Sequence, residues 1–416
     1  MKPAARFSAT SERDGRRVVL MFALAALVVK LWLAASTFGT NDVHSWIDFT
    51  RGLREFGLLD MYGQEYVTVY NHPPFTGVLL LIMNWLVEAG VSDVPFLIRG
   101  LSSVADLVTA LLVFELVRLH RSVGEATVAG VLISISPVLI VISGFHGNTD
   151  PVFVMFSLLA AYLVVRDRPF SAGVAIGLAM SVKLVPLVVV PVLCVWLVRS
   201  GWRRLRGFAG GGLVVFVMLW VPVLLANGSA FRQDVLGYTG IPGSPWGLSQ
   251  FVTWAGMAEA WGDALVGPGR FVVLLVSGLV PAALVWRRPR SFVPAVGLSL
   301  VLFLLLSPAF GMQYLSWALA AAYLIRVVPA SAYNLAASLF VLMVYRGWNG
   351  GSGPWAWDEA FAAPFNPVDE RLMVLSWVAL AWVAVAGVWT AVRRDEDQTE
   401  ALPARVLLER GPRSPS

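Results

Sequence analysis

The chain has 416 residues, 57% of them hydrophobic and 14% charged, with a formal net charge of +5. A soluble domain carries about 25% charged residues, so this chain cannot cover itself with polar surface and a water-soluble globule is excluded. Its mean hydropathy of +0.72 marks a polytopic membrane protein, and its positive charge falls in short loops between apolar runs, which reports topology and no nucleic-acid partner.

Residues 1–17 end in the basic "RDGRR" (Arg13 to Arg17) and read as a cytoplasmic segment. The apolar run 18–38 is too long for the core of a signal peptide and reads as an uncleaved first transmembrane helix. It holds Lys30, one of three lysines in the chain with Lys2 and Lys183. A lysine inside such a run needs an acidic partner, and Asp106 and Glu115 are the candidates. The loop 39–72 follows with "NDVHSWIDF", which brings Asp42, His44 and Asp48, and then Asp60 and Glu65. Loops of that length with aromatic residues usually serve a function.

"YNHPPFTG" (Tyr70 to Gly77) contains Pro-Pro, which stiffens the chain as it re-enters the membrane. It is either helix punctuation, with His72 as a cap, or the rim of a pocket. Apolar runs then cover 73–90, 98–119, 126–143, 151–165, 170–183, 186–198, 208–226, 271–286, 292–306, 313–326, 329–345 and 372–392. They are too long and too evenly apolar for barrel strands, so all are helices and the fold is all-α. In "GFHGNTDPVF" (Gly144 to Phe153), Asp150 reads as the N-cap of a helix with Pro151 in its first turn; alternatively His146, Asn148 and Asp150 line a polar pocket. Lys183, at the tip of the 170–198 hairpin, either snorkels to the interface or meets a phosphate as a point charge. The only cysteine, Cys194, leaves no internal disulfide and no cysteine-based zinc site. Gln313 and Tyr314 form a weaker polar pair, and Arg346 follows the helix 329–345 on the side of Asp42, where a guanidinium suits a phosphate.

The basic loops mark the cytoplasmic side and place 39–72, 144–150, 227–270 and 346–371 outside. Twelve crossings with both termini cytoplasmic fit this pattern, provided that one of 73–90 and 98–119 fails to cross. Residues 18–392 then form one transmembrane domain, and the charged, Pro/Ser-ended 393–416 a disordered cytoplasmic tail.

The order of these stretches, from Asp42 through "YNHPPFTG", "GFHGNTDPVF", "GLAMSVKLVPLVVVP" (Gly177 to Pro191) and "LSPAFGMQYLSWAL" (Leu306 to Leu319), resembles the GT-C superfamily of integral membrane glycosyltransferases. It is most similar to the bacterial polyprenol-phosphate-mannose-dependent mannosyltransferases. The resemblance implies a multi-pass protein of the bacterial plasma membrane with a long first extracytoplasmic loop. It implies inverting transfer of a hexose, mannose first, from a polyprenyl-phosphate carrier to a lipid or glycan acceptor on the outer face. Asp42 matches the family's base by its place after the first helix, with Asp48 as runner-up, and Lys183 and Arg346 would hold the donor phosphate. A single carboxylate in reach of the acceptor hydroxyl suffices for that chemistry. No metal-ligand motif of fixed spacing occurs, so no cofactor is expected; the alternative is a divalent ion, for which Asp42, His44, His72, His146 and Asp150 include suitable ligands. The alternative is a lipid or solute transporter without catalysis, for which internal symmetry and polar groups at the membrane midplane are the signature.

Overall fold

The computed structural model describes residues 11–64, 69–238, 246–257, 259–350 and 359–393; Glu65 and the tail beyond 393 lie outside them. All of the apolar runs are helical. The first helix, α1 (Glu12–Ser36), starts at Ser11, whose hydroxyl accepts from the Asp14 amide, with Glu12 and Asp14 in the first turn where the helix dipole favours acids. A residue pair, β1 (Gly39–Thr40), leads into α2 (Asp42–Asp60), then α3 (Pro74–Glu88) and α4 (Val94–Val117). The next run is split into α5 (Val123–Ser134), α6 (Pro137–Val141) and a π turn over Ile142–His146. After it come α7 (Asp150–Val165), α8 (Pro169–Val182), α9 (Val190–Ser200), α10 (Trp202–Val215) and α11 (Val221–Phe231). The chain continues with α12 (Gly247–Trp254), α13 (Glu259–Val266), α14 (Gly269–Arg287), α15 (Phe292–Leu306), α16 (Leu315–Ile325), α17 (Val327–Trp348), β2 (Glu359–Ala360) and α18 (Pro367–Arg393). β1 and β2 pair in parallel through Gly39 with Glu359 and Thr40 with Ala360.

Among the described residues eight helical runs are long and apolar enough to cross a membrane, and five shorter apolar ones accompany them, Pro74–Glu88 among these. The parity of the chain between 73 and 119 is settled by α1 and α4, which run antiparallel along their whole lengths. At one end Arg16 meets Glu115 at 2.6 Å and Glu12 meets Arg118 at 3.0 Å. At the other, the buried Arg99 donates to the carbonyls of Ala34 at 2.9 Å and Thr37 at 3.0 Å, satisfying carbonyls that the end of α1 leaves open. The chain therefore leaves α1 and enters α4 at the same end, and α2 and α3 together make no net crossing.

Lys30 takes Asp106, at 2.6 Å, with Ser143 donating to the same carboxylate oxygen at 2.6 Å. Glu115, the other candidate, is occupied by Arg16 and Arg118. Both members of the Lys30–Asp106 pair are sealed from solvent. Lys30→Met strands the carboxylate, and breaking such a pair costs about 3–5 kcal/mol. Thermal unfolding in detergent is expected to show that loss, and Lys30→Met combined with Asp106→Asn to recover most of it.

Two of the segments between apolar runs are more ordered than the sequence implied. The 39–72 segment carries the 19-residue α2, hidden because its charged residues lower its mean hydropathy. The helix expected at 208–226 continues to Leu236. It passes a kink at Asn227, whose amide donates to the Leu59 carbonyl at 2.9 Å. A satellite cluster of Trp46, Phe49, Tyr62, Tyr70 and Phe231 fastens α2 onto α3 and α11, while the main core fills the rest of the bundle.

Candidate active site

The polar groups converge where the π turn, the start of α2, the end of α8 and the start of α16 meet. The π turn presses against the bundle through glycine. A Cβ on Gly144 would lie 2.9 Å from the Cα of Lys30, and Gly147, at φ +83°, leaves the turn with Val43 in the space a Cβ would need. Only glycine adopts that conformation without strain. The turn is then held by side chains of other elements: Thr40 donates to the His146 carbonyl at 2.8 Å, Trp46 to the Gly147 carbonyl at 2.9 Å, and Ser102 to the Asn148 carbonyl.

His146, buried, places Nε2 at 3.0 Å from Oδ2 of Asp42 and Nδ1 at 2.5 Å from the hydroxyl of Tyr345. The Asp42 side chain is 40% exposed, so one edge of the carboxylate stays open. Burial pushes its pKa up, but the hydrogen bond from His146 and the charge of Lys183 outweigh this and hold it below the usual carboxylate value. Asp42 is an anion at neutral pH.

The second half of the site is Lys183. Its ammonium bonds Oδ1 of Asp150 at 2.8 Å and stands 4.9 Å from the rings of both Tyr314 and Trp317. Those two rings stack at 3.8 Å, and cation–π attraction over aromatic faces adds to the ion pair. The Trp317 indole N–H donates to Oδ2 of Asp150 at 2.6 Å. His72 completes the group. Its ring lies 4.6 Å from Trp46, and burial together with the Lys183 charge, against the pull of Asp42, lowers its pKa to about 3. His72 is neutral and interacts through space with both halves.

Comparison with known proteins assigns the chain. The family model described as glycosyltransferase family 87 matches residues 70–308, more than half of the sequence. The chain belongs to glycosyltransferase family 87. A relative of this family 87 chain is the polyprenol-phosphate-mannose-dependent alpha-(1-2)-phosphatidylinositol pentamannoside mannosyltransferase of Mycobacterium tuberculosis (strain CDC 1551 / Oshkosh). The two are 27% identical over 303 residues, which is 68% of this chain and 65% of the relative; the chain thus spans just under two thirds of that relative. The crystal structure of ArnT from Cupriavidus metallidurans bound to undecaprenyl phosphate superposes with a TM-score of 0.51 at 15% identity, covering 89% of this chain and 76% of ArnT. At that identity the likeness is one of fold, and the fold is GT-C.

Of the residues singled out in the sequence of this family 87 protein, Asp42, His72, His146, Asp150, Lys183 and Tyr314 come together. Asp48 does not: it faces Arg51 at 3.6 Å. His44 is exposed, its ring 4.8 Å from Phe38. Arg346 is exposed on the last turn of α17. Gln313 is half-buried on the turn Met312–Tyr314, and its carbonyl accepts from Ser316 at 2.7 Å. Asn148 shapes the loop: its amide donates to the Ile142 carbonyl and its oxygen accepts from the Asp150 amide, both at 2.9 Å. That corrects the N-cap expected of Asp150. Thr149 is the N-cap residue, and Asn148 supplies the acceptor, which frees the Asp150 carboxylate for Lys183. Among the described residues no three of His, Cys, Asp and Glu form a metal-binding group.

Proposed function

We propose that this glycosyltransferase moves a hexose, mannose first, from a polyprenyl-phosphate carrier to an acceptor hydroxyl on the outer face of the bacterial plasma membrane, with inversion. The observation that carries the reading is the pairing at one end of the bundle of an open, ionised carboxylate, Asp42, with an ammonium, Lys183, that acts on it through space. In a single displacement the acceptor oxygen attacks the sugar's anomeric carbon as its proton passes to Asp42, and the bond from that carbon to the phosphate oxygen breaks. General-base transfer of this kind contributes about 10²–10⁴-fold. The leaving phosphate gains negative charge as it departs, and Lys183, pinned by Asp150 and backed by Tyr314 and Trp317, is a fixed cation of the kind that stabilises it. Arg346 serves, in this reading, as a peripheral contact for the carrier. No cofactor is assigned. The donor class is supported by the mannosyltransferase relative, and the acceptor is a lipid or glycan hydroxyl.

The outer-face assignment follows from the basic loops gathered at the opposite end. Twelve crossings result if every short apolar helix except α3 traverses the bundle.

The test is to incubate membranes containing the full chain with radiolabelled polyprenyl-phosphate mannose or with a nucleotide-linked mannose. Label is expected to pass to an acceptor from the lipid donor alone. Transfer from the nucleotide donor only would overturn the reading, and transfer from neither would overturn mannose as the sugar.

A further inference from the structure

Tyr345 has no part in the reaction as written, and nothing in its sequence surroundings marks it. Its ring is fully buried on α17, against the edge of Phe145 at 5.7 Å and stacked on His146 at 5.7 Å and 24°. Its hydroxyl lies 2.5 Å from Nδ1 of His146, while Nε2 of the same ring faces Asp42 at 3.0 Å.

A neutral imidazole carries its proton on one nitrogen and a lone pair on the other. An ionised carboxylate can only accept, so the nitrogen facing Asp42 must be the protonated one. Nδ1 is then an acceptor, and only a donor beside it can satisfy it in a buried place. A phenol hydroxyl is such a donor. With the opposite tautomer a lone pair would face the carboxylate, and Asp42 would have to hold a proton that would disable it as a base. The backbone beside the ring is already fixed by Thr40 at the His146 carbonyl and by Trp46 at the Gly147 carbonyl, so what remains to be set is the protonation of the ring.

We propose that Tyr345 is a positioning residue for sugar transfer: its hydroxyl donates to Nδ1 of His146, which fixes the tautomer whose Nε2–H holds Oδ2 of Asp42 and leaves Oδ1 facing the acceptor hydroxyl. This rests on Asp42 being the base. Tyr345 touches no substrate and acts only through His146.

The test measures transfer from polyprenyl-phosphate mannose to endogenous acceptors in membranes holding full-length variants, normalised to the amount of chain. Tyr345→Phe keeps the buried ring and removes the hydroxyl. Its maximal rate is expected to fall about 10–100-fold, by analogy with the loss of the outer partner of a metal-ligating histidine, with the apparent KM for the donor unchanged because Lys183 is untouched. In a His146→Ala background the same change is expected to cost nothing more, whereas a packing defect would cost the same in both backgrounds. A wild-type rate in Tyr345→Phe, or equal losses in the two backgrounds, overturns the inference. Asp42→Asn keeps the readings apart. If it abolishes transfer while Tyr345→Phe does not slow it, this inference alone fails; if it transfers normally, the base assignment fails and takes the inference with it.

Discussion

Asp42→Asn is expected to lower sugar transfer by about 10²–10⁴-fold, the usual contribution of a general base, in a chain that folds as before. The amide has the carboxylate's shape, and its oxygen still accepts from Nε2 of His146, which sits 3.0 Å away. The loss would therefore be one of basicity. Asp48→Asn is the matched control, since that carboxylate pairs with Arg51 at 3.6 Å, and it is expected to transfer at the wild-type rate. The pH dependence follows from the same groups. The active form is the deprotonated one, and the folded protein holds Asp42 below its ordinary carboxylate value because His146 and Lys183 outweigh burial. His72, also near, is neutral; Tyr238, Tyr314 and Tyr345 lie close enough to feel the Asp42 charge. Transfer should therefore persist as pH falls through the range where a free aspartate would protonate, and fail only below it. An acid limb at or above the free value, or full activity in Asp42→Asn, would move the base elsewhere.

What the sequence could show differed between fold and site for a physical reason. Lipid solvation imposes a uniform apolar run on every helix that crosses it, so every apolar run proposed from composition is helical in the structure, the 126–143 run in two pieces and a π turn. The helix α2 escaped because it keeps polar residues, such as Arg51, Arg54 and Glu55, on its exposed side, so no uniform apolar run marks it. Polar residues in a greasy chain are similarly conspicuous, and this made Asp42, His146, Asp150 and Lys183 readable one by one. Their pairing was not readable, because Asp42 reaches His146 across 104 positions of sequence. Trp317 was within reach of inference: it follows Tyr314 by one helical turn in "LSPAFGMQYLSWAL", a spacing that puts both on one face. Tyr345 gave no such signal, since an aromatic residue near the end of an apolar helix is common. Arg346, its neighbour, drew attention by its charge, yet α17 turns the hydroxyl of Tyr345 inward to the site and leaves Arg346 exposed.

Replacing Lys183 by methionine is expected to damage both stability and transfer, and a second substitution separates the two. Asp150 is buried and keeps both oxygens engaged, Oδ1 with Lys183 at 2.8 Å and Oδ2 with Trp317 at 2.6 Å. Without the ammonium its charge is left with a single indole N–H. Breaking a buried pair in this way costs about 3–5 kcal/mol, and the lower end applies here because the Lys183 side chain is 23% exposed. Thermal unfolding of Lys183→Met in detergent should fall accordingly. Adding Asp150→Asn removes the stranded charge while its amide oxygen still accepts from Trp317, so the double variant is expected to regain most of the stability. Its transfer should stay low by about 10²–10³-fold, the loss seen when one stabilising donor is removed from a developing anion, because nothing then matches the charge growing on the departing phosphate. Lys183→Arg should recover only part of the rate, since a planar fork cannot occupy the place of a compact ammonium between Asp150 and the two rings. If the double variant instead transferred like the wild type, Lys183 would be a strut joining α8 to α7, and the phosphate would need another cation.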